Sequence, residues 1–278
     1  MLFLLLAVAF SACVTLALRF AEGRARNRTW MLAANYLVCV LCGVCFLDGT
    51  AGRPLPPQPV LLGVLCGALY LVSLKMLQWN ITLHGVILSS TFNKLGVCVP
   101  VALAILVFGE RPQWTQYAGL IMMAAAIILL NSAPGKKQAR RHTRITLVLL
   151  LLTSGFSSAM SNVYDKTSIP AFKSLYLVVT FLTAMVLAIL FALRENRKPA
   201  PEDILCGALL GIPNYFSSRC LLYALGEVPA TIAYPSSCIG TILILTAAGI
   251  LAFHERMGKR EVIGLFLICV TFLLIYAK

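Results

Sequence analysis

Apolar runs of about twenty residues follow one another along this chain, separated by short polar stretches. A membrane-spanning helix needs roughly 20 mostly apolar residues. Ten segments meet that condition: 1–19, 30–48, 60–79, 83–108, 115–132, 145–165, 173–193, 204–225, 229–253 and 261–277. The connections leave no room for a soluble domain of useful size. The pattern predicts an all-α integral membrane protein with ten transmembrane helices. Polar residues interrupt some of these spans and spare others. Span 4 holds Ser89-Ser90-Thr91-Phe92-Asn93-Lys94, and Pro100 follows, which is expected to kink or loosen the helix there. Span 6 carries Ser154, Ser157, Ser158, Ser161, Asn162 and Asp165. At about 100° per residue these share one arc of a helix. That arc reads equally as helix-to-helix hydrogen bonding or as a cavity wall. In span 8, Pro213-Asn214 is expected to interrupt the helix. Spans 5 and 10 carry few polar residues and are expected at the periphery, as support for the bundle or as a homodimer contact.

The pattern also repeats. Gly63–Lys75 (GVLCGALYLVSLK) matches Gly207–Arg219 (GALLGIPNYFSSR) at an offset of 144. Farther on, Phe108-Gly109-Glu110-Arg111 and Gly119 match Phe253-His254-Glu255-Arg256 and Gly264 at an offset of 145. The chain therefore divides into a first five-helix repeat, 1–133, a basic linker, 134–144, and a second five-helix repeat, 145–278. An odd number of spans in each half makes the two copies inverted in the membrane. Inverted repeats that exchange conformations give alternating access to a central site. The Gly-x-x-x-Gly pairs in both copies read as places where helices approach closely.

Composition agrees with a bilayer. The chain has 278 residues, 60% hydrophobic and 12% charged, with a mean hydropathy of +0.89. Soluble domains run about 45–50% apolar and about 25% charged. The net charge of +13 could suggest nucleic acid, but the cations sit in a few loops, as membrane orientation requires. With the N-terminus outside, fifteen Lys and Arg fall on the cytoplasmic side, five on the other and three within spans. Both termini are thus expected outside the cytoplasm of a multi-pass protein of the cell membrane. The linker Pro134–Thr143 (PGKKQARRHT) is the strongest cytoplasmic marker, and it lacks the glycine spacing of a phosphate-cradling loop. The apolar N-terminus reads as a first span and not a signal peptide. Asn27-Arg28-Thr29 fits a glycosylation sequon but falls inside. Ten cysteines lie mostly in spans; Cys39, Cys42 and Cys45 read as small packing residues. His84, His142 and His254 show no metal spacing. No metal, cofactor or nucleic-acid partner is expected, and no nucleophile-and-base set supports an intramembrane enzyme.

The sharpest chemical signals are Lys75, Lys94 and Arg219. A cation at the bilayer centre costs about 2.5–3.5 kcal/mol on insertion scales, and no acidic residue lies at matching depth. Lys75 and Arg219 have snorkelling as an alternative; Lys94 is farther from either end. Such cations around a cavity attract a carboxylate or phosphate. Ser90, Asn93, Ser158, Asn162, Asn214, Tyr215, Ser218 and Tyr234 are candidate hydrogen-bonding neighbours. Lys94 is expected on the cavity wall, with Lys75 below it and Arg219 above. Glu110-Arg111 and Glu255-Arg256 close their spans, with local pairing, helix capping and gating all open.

The ten spans, the duplication and the closing phrases Phe-Gly-Glu-Arg…Gly119 and Phe-His-Glu-Arg…Gly264 together resemble the EamA-type branch of the drug/metabolite transporter superfamily. The resemblance covers essentially the whole chain. It implies ten helices, a cavity lined mainly by spans 3, 4, 8 and 9 with help from 1 and 6, and no cofactor. It leaves the substrate open. One departure matters. The small four-helix multidrug relatives use a carboxylate deep in their first helix, which spans 1 and 6 here lack. The expected function is therefore secondary transport of a small polar metabolite, anionic or zwitterionic. A channel or a non-transporting receptor is the competing class.

Overall fold

A computed structural model describes the chain except residues 22–23, 48–55, 85, 131–140, 196–197, 254–258 and 277–278, together with some helix side chains, among them those of Ser90 and of 141–144. The basic linker up to residue 140, and Glu255 and Arg256, thus lie outside the described residues. Every regular element among the described residues is helical. In the first half these are α1 (Leu2–Ala21), α2 (Arg28–Cys45), α3 (Pro57–His84), α4 (Val86–Leu95), α5 (Cys98–Leu106) and α6 (Trp114–Leu130). The second half has α7 (Arg141–Thr167), a 3₁₀ turn at Pro170–Phe172, α8 (Lys173–Arg194), α9 (Pro201–Leu225), α10 (Ala230–Phe253) and α11 (Lys259–Tyr276). Six helices are long and apolar enough to cross a membrane, and Thr91–Leu106, Trp114–Leu129 and Val262–Tyr276 are shorter apolar stretches. The chain is an all-α membrane protein.

Among the described residues eleven α-helices stand where ten spans were expected, because span 4 breaks at Gly96–Val97, earlier than Pro100 suggested. There the Gly96 N–H is shared between the carbonyls of Phe92 and Asn93, both at 3.2 Å, and Val97 N–H turns to Lys94 O at 3.2 Å. These three-residue bonds tighten the last turn and end α4. Pro100 is the third residue of α5, in a first turn whose N–H groups have no helical partner anyway. Its missing N–H frees the Gly96 carbonyl, which accepts Val99 N–H at 3.0 Å. The proline thus begins a helix instead of bending one. Pro213 also behaves differently from expectation. Helix α9 runs through it without interruption. One missing N–H costs a single bond, and α2 packs along the same stretch of α9.

The described residues form two compact units, and each takes helices from both sequence repeats. Unit 1 comprises Met1–Leu71 and Val163–Glu227; unit 2 comprises Val72–Asn162 and Val228–Lys278. The divisions fall inside α3 and α7.

Unit 1 is built on the two Gly-x-x-x-Gly pairs. On α3, a Cβ at Gly63 would stand 2.9 Å from Val179 and 3.1 Å from the Tyr176 carbonyl, and one at Gly67 would collide with the Thr180 carbonyl. On α9, a Cβ at Gly207 would collide with the Met31 carbonyl, and one at Gly211 would stand 2.8 Å from the Asn35 carbonyl. So α3 lies backbone-close against α8, and α9 against α2. The repeat in sequence is a repeat in contact. Between these helices, the buried ring of Phe181 meets Tyr36, Tyr70 and Tyr215, each at 6.2 Å between centroids.

Unit 2 has an aliphatic core of Met123, Ala126, Ile127, Ile239, Ile242, Ile268 and Ile275, drawn from α6, α10 and α11. Spans 5 and 10 pack here on one another, with Gly119 set against Ile275 and Leu274. Their outer faces, including Ile121, Phe266 and Leu273, remain exposed.

Candidate functional site

In unit 2 the polar arc of α7 faces the break in span 4. Ser154 Oγ donates to the Asn93 carbonyl at 3.3 Å, one of the last carbonyls of α4. Gly155 opposes Gly96 and Val99 so closely that a Cβ on either glycine would not fit. A turn farther along α7, the Ser158 carbonyl accepts the Tyr234 hydroxyl of α10 at 2.7 Å, while Ser158 Oγ turns back to its own helix at Ser154 O. Tyr234 is buried and Ser158 is exposed. Helices α4, α7 and α10 therefore meet through backbone and side-chain polar groups.

Two side chains of this region have chemistry that the fold does not consume. Asn162 is 0% exposed, and neither its Nδ2 nor its Oδ1 has a hydrogen-bond partner. A buried polar group without a partner costs roughly 1–3 kcal/mol. Asn162 lies seven residues beyond Gly155, about two turns, on the same face of α7. Lys94, in the last turn of α4, is exposed, and no described side chain pairs with its ammonium. It lies within electrostatic reach of the Cys238 thiol on α10. Asn93 and Lys75 are half-buried. Ser90 is in α4, but its side chain lies outside the described residues.

The other candidates belong to unit 1, on α9. Arg219 donates to the Tyr215 hydroxyl one turn earlier at 2.9 Å, and its guanidinium sits over the rings of Phe46 at 4.8 Å and Tyr223 at 5.4 Å. Asn214 donates to Asn35 Oδ1 at 3.2 Å and reaches the Cys39 sulfur at 3.7 Å. Cys39 Sγ in turn donates to the Gly211 carbonyl at 3.3 Å. Asn214 thus holds α9 to α2 beside the glycine pair. Tyr215 is buried and Ser218 half-buried.

Three polar assemblies lie outside the site residues named from sequence. The first gives Glu110 a role. Gly109 has a φ of 67°, a left-handed turn that suits glycine. That turn presents Glu110 to the start of α10, where Oε1 accepts Ala230 N–H at 3.1 Å and Oε2 accepts Thr231 N–H at 3.0 Å. A carboxylate at a helix N-terminus satisfies orphan donors and the dipole. Of the readings left open for Glu110, capping is observed, at the start of α10. The second is an ion pair. Lys173, one of the five cations counted on the non-cytoplasmic side from sequence, is buried. Its Nζ donates to Asp165 Oδ1 at 2.8 Å and to the Leu222 carbonyl at 3.2 Å. No sequence spacing announced it, because the partners lie on either side of the Pro170 turn.

The third is centred on Asp203, which is 0% exposed. Its Oδ1 accepts Arg26 N–H at 2.7 Å and Asn27 N–H at 2.9 Å, and its Oδ2 accepts Ala200 N–H at 3.1 Å. Asn27 caps α2 through Thr29 N–H at 2.8 Å and donates Nδ2 to Glu195. Thr29 Oγ1 adds a bond to Glu195 at 2.9 Å. The Asn27 amide is therefore buried and committed. Two signals were readable here: Asn at an N-cap, and a carboxylate at the third position after Ala200.

Comparison with known proteins follows the repeat. The model of the EamA-like transporter family matches residues 1–132 and again 145–277. A protein of Haemophilus influenzae, described as uncharacterized, is 22% identical over 288 residues, covering 98% of this chain and 97% of that protein. A solved crystal structure superposes with a TM-score of 0.73 at 16% identity, covering 98% of this chain and 97% of its own. At that identity the likeness is one of fold.

Proposed function

The chain belongs to the EamA-like transporter family, a membrane transporter family of the drug/metabolite superfamily, and from that premise we propose a secondary carrier for a small polar metabolite, anionic or zwitterionic. It works by alternating access between the inverted repeats 1–133 and 145–278, with the linker 134–144 in the cytoplasm and both termini on the other side of the cell membrane. The observation that carries the proposal is Asn162. A carboxamide with donor and acceptor both unsatisfied, fully buried in an apolar helix, is a standing cost that a polar solute removes on binding. Lys94 supports the charge assignment. It is a cation in span 4 with no described partner, beside the helix break. Broken helices beside polar side chains are a recurring way to build a solute site in a transporter. The site residues are Lys94, Asn93, Ser90, Ser158, Asn162 and Tyr234, and Lys75 and Arg219 serve entry and release.

Two measurements test this reading. Counterflow of labelled solute in proteoliposomes, run against a panel of amino acids, organic acids and organic phosphates, should show saturable exchange with at least one anionic or zwitterionic member. Asn162→Leu keeps the volume and removes the amide. It should leave the empty protein as stable or up to about 1–3 kcal/mol more stable, while exchange is lost. Wild-type exchange in that variant would remove Asn162 from the site.

Orientation is tested separately. A single cysteine at position 138 should react with an impermeant maleimide only after the membrane is opened. Labelling in intact cells would reverse the topology.

A further inference from the structure

We propose that the surface of unit 1 carried by Arg19, Arg24, Arg26, Arg28, Arg194 and Lys198 binds anionic phospholipid headgroups. Four arginines follow one another here: Arg19, Arg24, Arg26 and Arg28 are all exposed. Arg194 and Lys198 join them from the α8–α9 side, also exposed. The two stretches are held together by the Asp203 and Glu195 bonds to residues 26–29.

Of the carboxylates described beside this surface, one is buried and two, Glu195 and Glu202, are exposed. Asp203 is wholly buried and spends both oxygens on backbone N–H groups. Glu195 accepts from Asn27 and Thr29. Glu202 is the one other carboxylate of this loop among the described residues, and it is exposed. Among the described residues, six exposed cations thus outnumber two exposed carboxylates, and the buried Asp203 fixes the backbone beside them. A loop held this way loses little further entropy when an anion docks, so its cations are preorganised.

The residues just inside the cations identify the occupant. Leu18 and Phe20 precede Arg24, and Phe191 and Leu193 precede Arg194; all four are exposed, at 39%, 50%, 41% and 59%. Arg24 lies over the Phe20 ring at 3.8 Å to the centroid and donates to the Phe20 carbonyl at 2.9 Å. Exposed apolar side chains followed at once by cations match the order of acyl chain and phosphate in one leaflet. A soluble anion would use the cations and leave the apolar band without a role. The chemistry points to a lipid carrying a phosphate and net negative charge.

Trp30, half-buried in the first turn of α2, serves as the reporter. A variant with Trp79 and Trp114 replaced by Phe is placed in nanodiscs with brominated phosphatidylglycerol or brominated phosphatidylcholine at equal mole fraction. Stronger quenching of Trp30 by the anionic lipid, by a few-fold in apparent partition and falling at 0.5 M salt, is the expected result. Each basic side chain near an anionic surface contributes roughly fivefold to partition. The combination Arg24→Gln, Arg26→Gln, Arg28→Gln replaces only exposed side chains and should equalise the two lipids. Equal quenching in the protein with all its arginines overturns the proposal, as does a preference that survives the triple substitution. Inorganic phosphate that fully replaces phosphatidylglycerol in raising the melting temperature overturns it too, by assigning the surface to a soluble anion.

Discussion

Replacing Lys94 with Ala is expected to weaken an anionic substrate by about 1.5–3 kcal/mol, the range for a hydrogen bond to a charged group, or roughly tenfold to over a hundredfold in half-saturation. The expectation rests on cost. A lysine within an apolar span persists where it faces water or an anion, since lipid exposure at mid-membrane is unfavourable by a few kcal/mol. The structure places Lys94 in the last turn of α4, exposed, with no described partner for its ammonium. It also ends α4 one residue later, at Leu95, so Lys94 stands beside the break between α4 and α5. Lys94→Arg should restore charge while leaving geometry wrong, because a planar guanidinium does not replace a compact ammonium. Recovery in the arginine variant should therefore be partial. The measurement is concentration-dependent counterflow for Lys94→Ala and Lys94→Arg beside the unmodified protein. Normal half-saturation in Lys94→Ala would refute the assignment, and so would a substrate that proves to be an organic cation.

Gly207→Val should prevent stable assembly. A Cβ on Gly207 runs into the Met31 carbonyl, with Ala34 Cβ at 2.7 Å and Asn35 N at 3.0 Å. Overpacking usually costs about 1–3 kcal/mol, and here the obstacle is backbone, which cannot rotate away. Pushing α9 off α2 also lengthens the Asn214–Asn35 bond at 3.2 Å and the Cys39–Gly211 bond at 3.3 Å. Those losses add to the steric term because the groups would be left buried and unpaired. Fluorescence-detected size exclusion after mild heating reads the effect. The expected outcome is loss of the monodisperse peak, or a melting temperature lower by many degrees. A Gly207→Val protein that melts with the unmodified one would mean that α9 and α2 do not meet at this glycine.

The spans were legible because a bilayer imposes a length on apolar runs, and that length survives any detail of packing. The glycine pairs were legible for a related reason. Two small residues four apart on a helix have few uses other than close approach. The break in span 4 was displaced because Pro100 draws attention, whereas the determinant is the glycine before it, pressed against Gly155 of a helix far along the chain. The burial of Lys173 was hidden because a window on sequence says nothing of what covers the end of a span. Here the 3₁₀ turn at Pro170–Phe172 carries the chain back so that Asp165 and the Leu222 carbonyl enclose the ammonium. Asn214 looked like Asn162 from sequence. Its partner, Asn35, is 179 residues away, and nothing local distinguishes a satisfied carboxamide from an unsatisfied one. The pairing of α3 with α8 and of α9 with α2 was equally hidden, since a duplication orders the chain without saying which copy packs on which.

That interleaving has a consequence for how the protein is made. Unit 1 opens with Met1–Leu71 and is completed only by Val163–Glu227. At about 5–20 residues per second, the helices α1 and α2 leave the ribosome several seconds before α8 and α9 exist. During that interval the glycine faces of α3 and the polar hook at residues 26–29 have nothing to rest on. Nascent chains stopped anywhere before residue 163 should therefore be held by the insertion machinery or degraded, and neither half expressed by itself should accumulate. Supplied together as separate polypeptides, the halves still contain every contact named here, so the chain can be cut at its linker without losing the instructions for either unit.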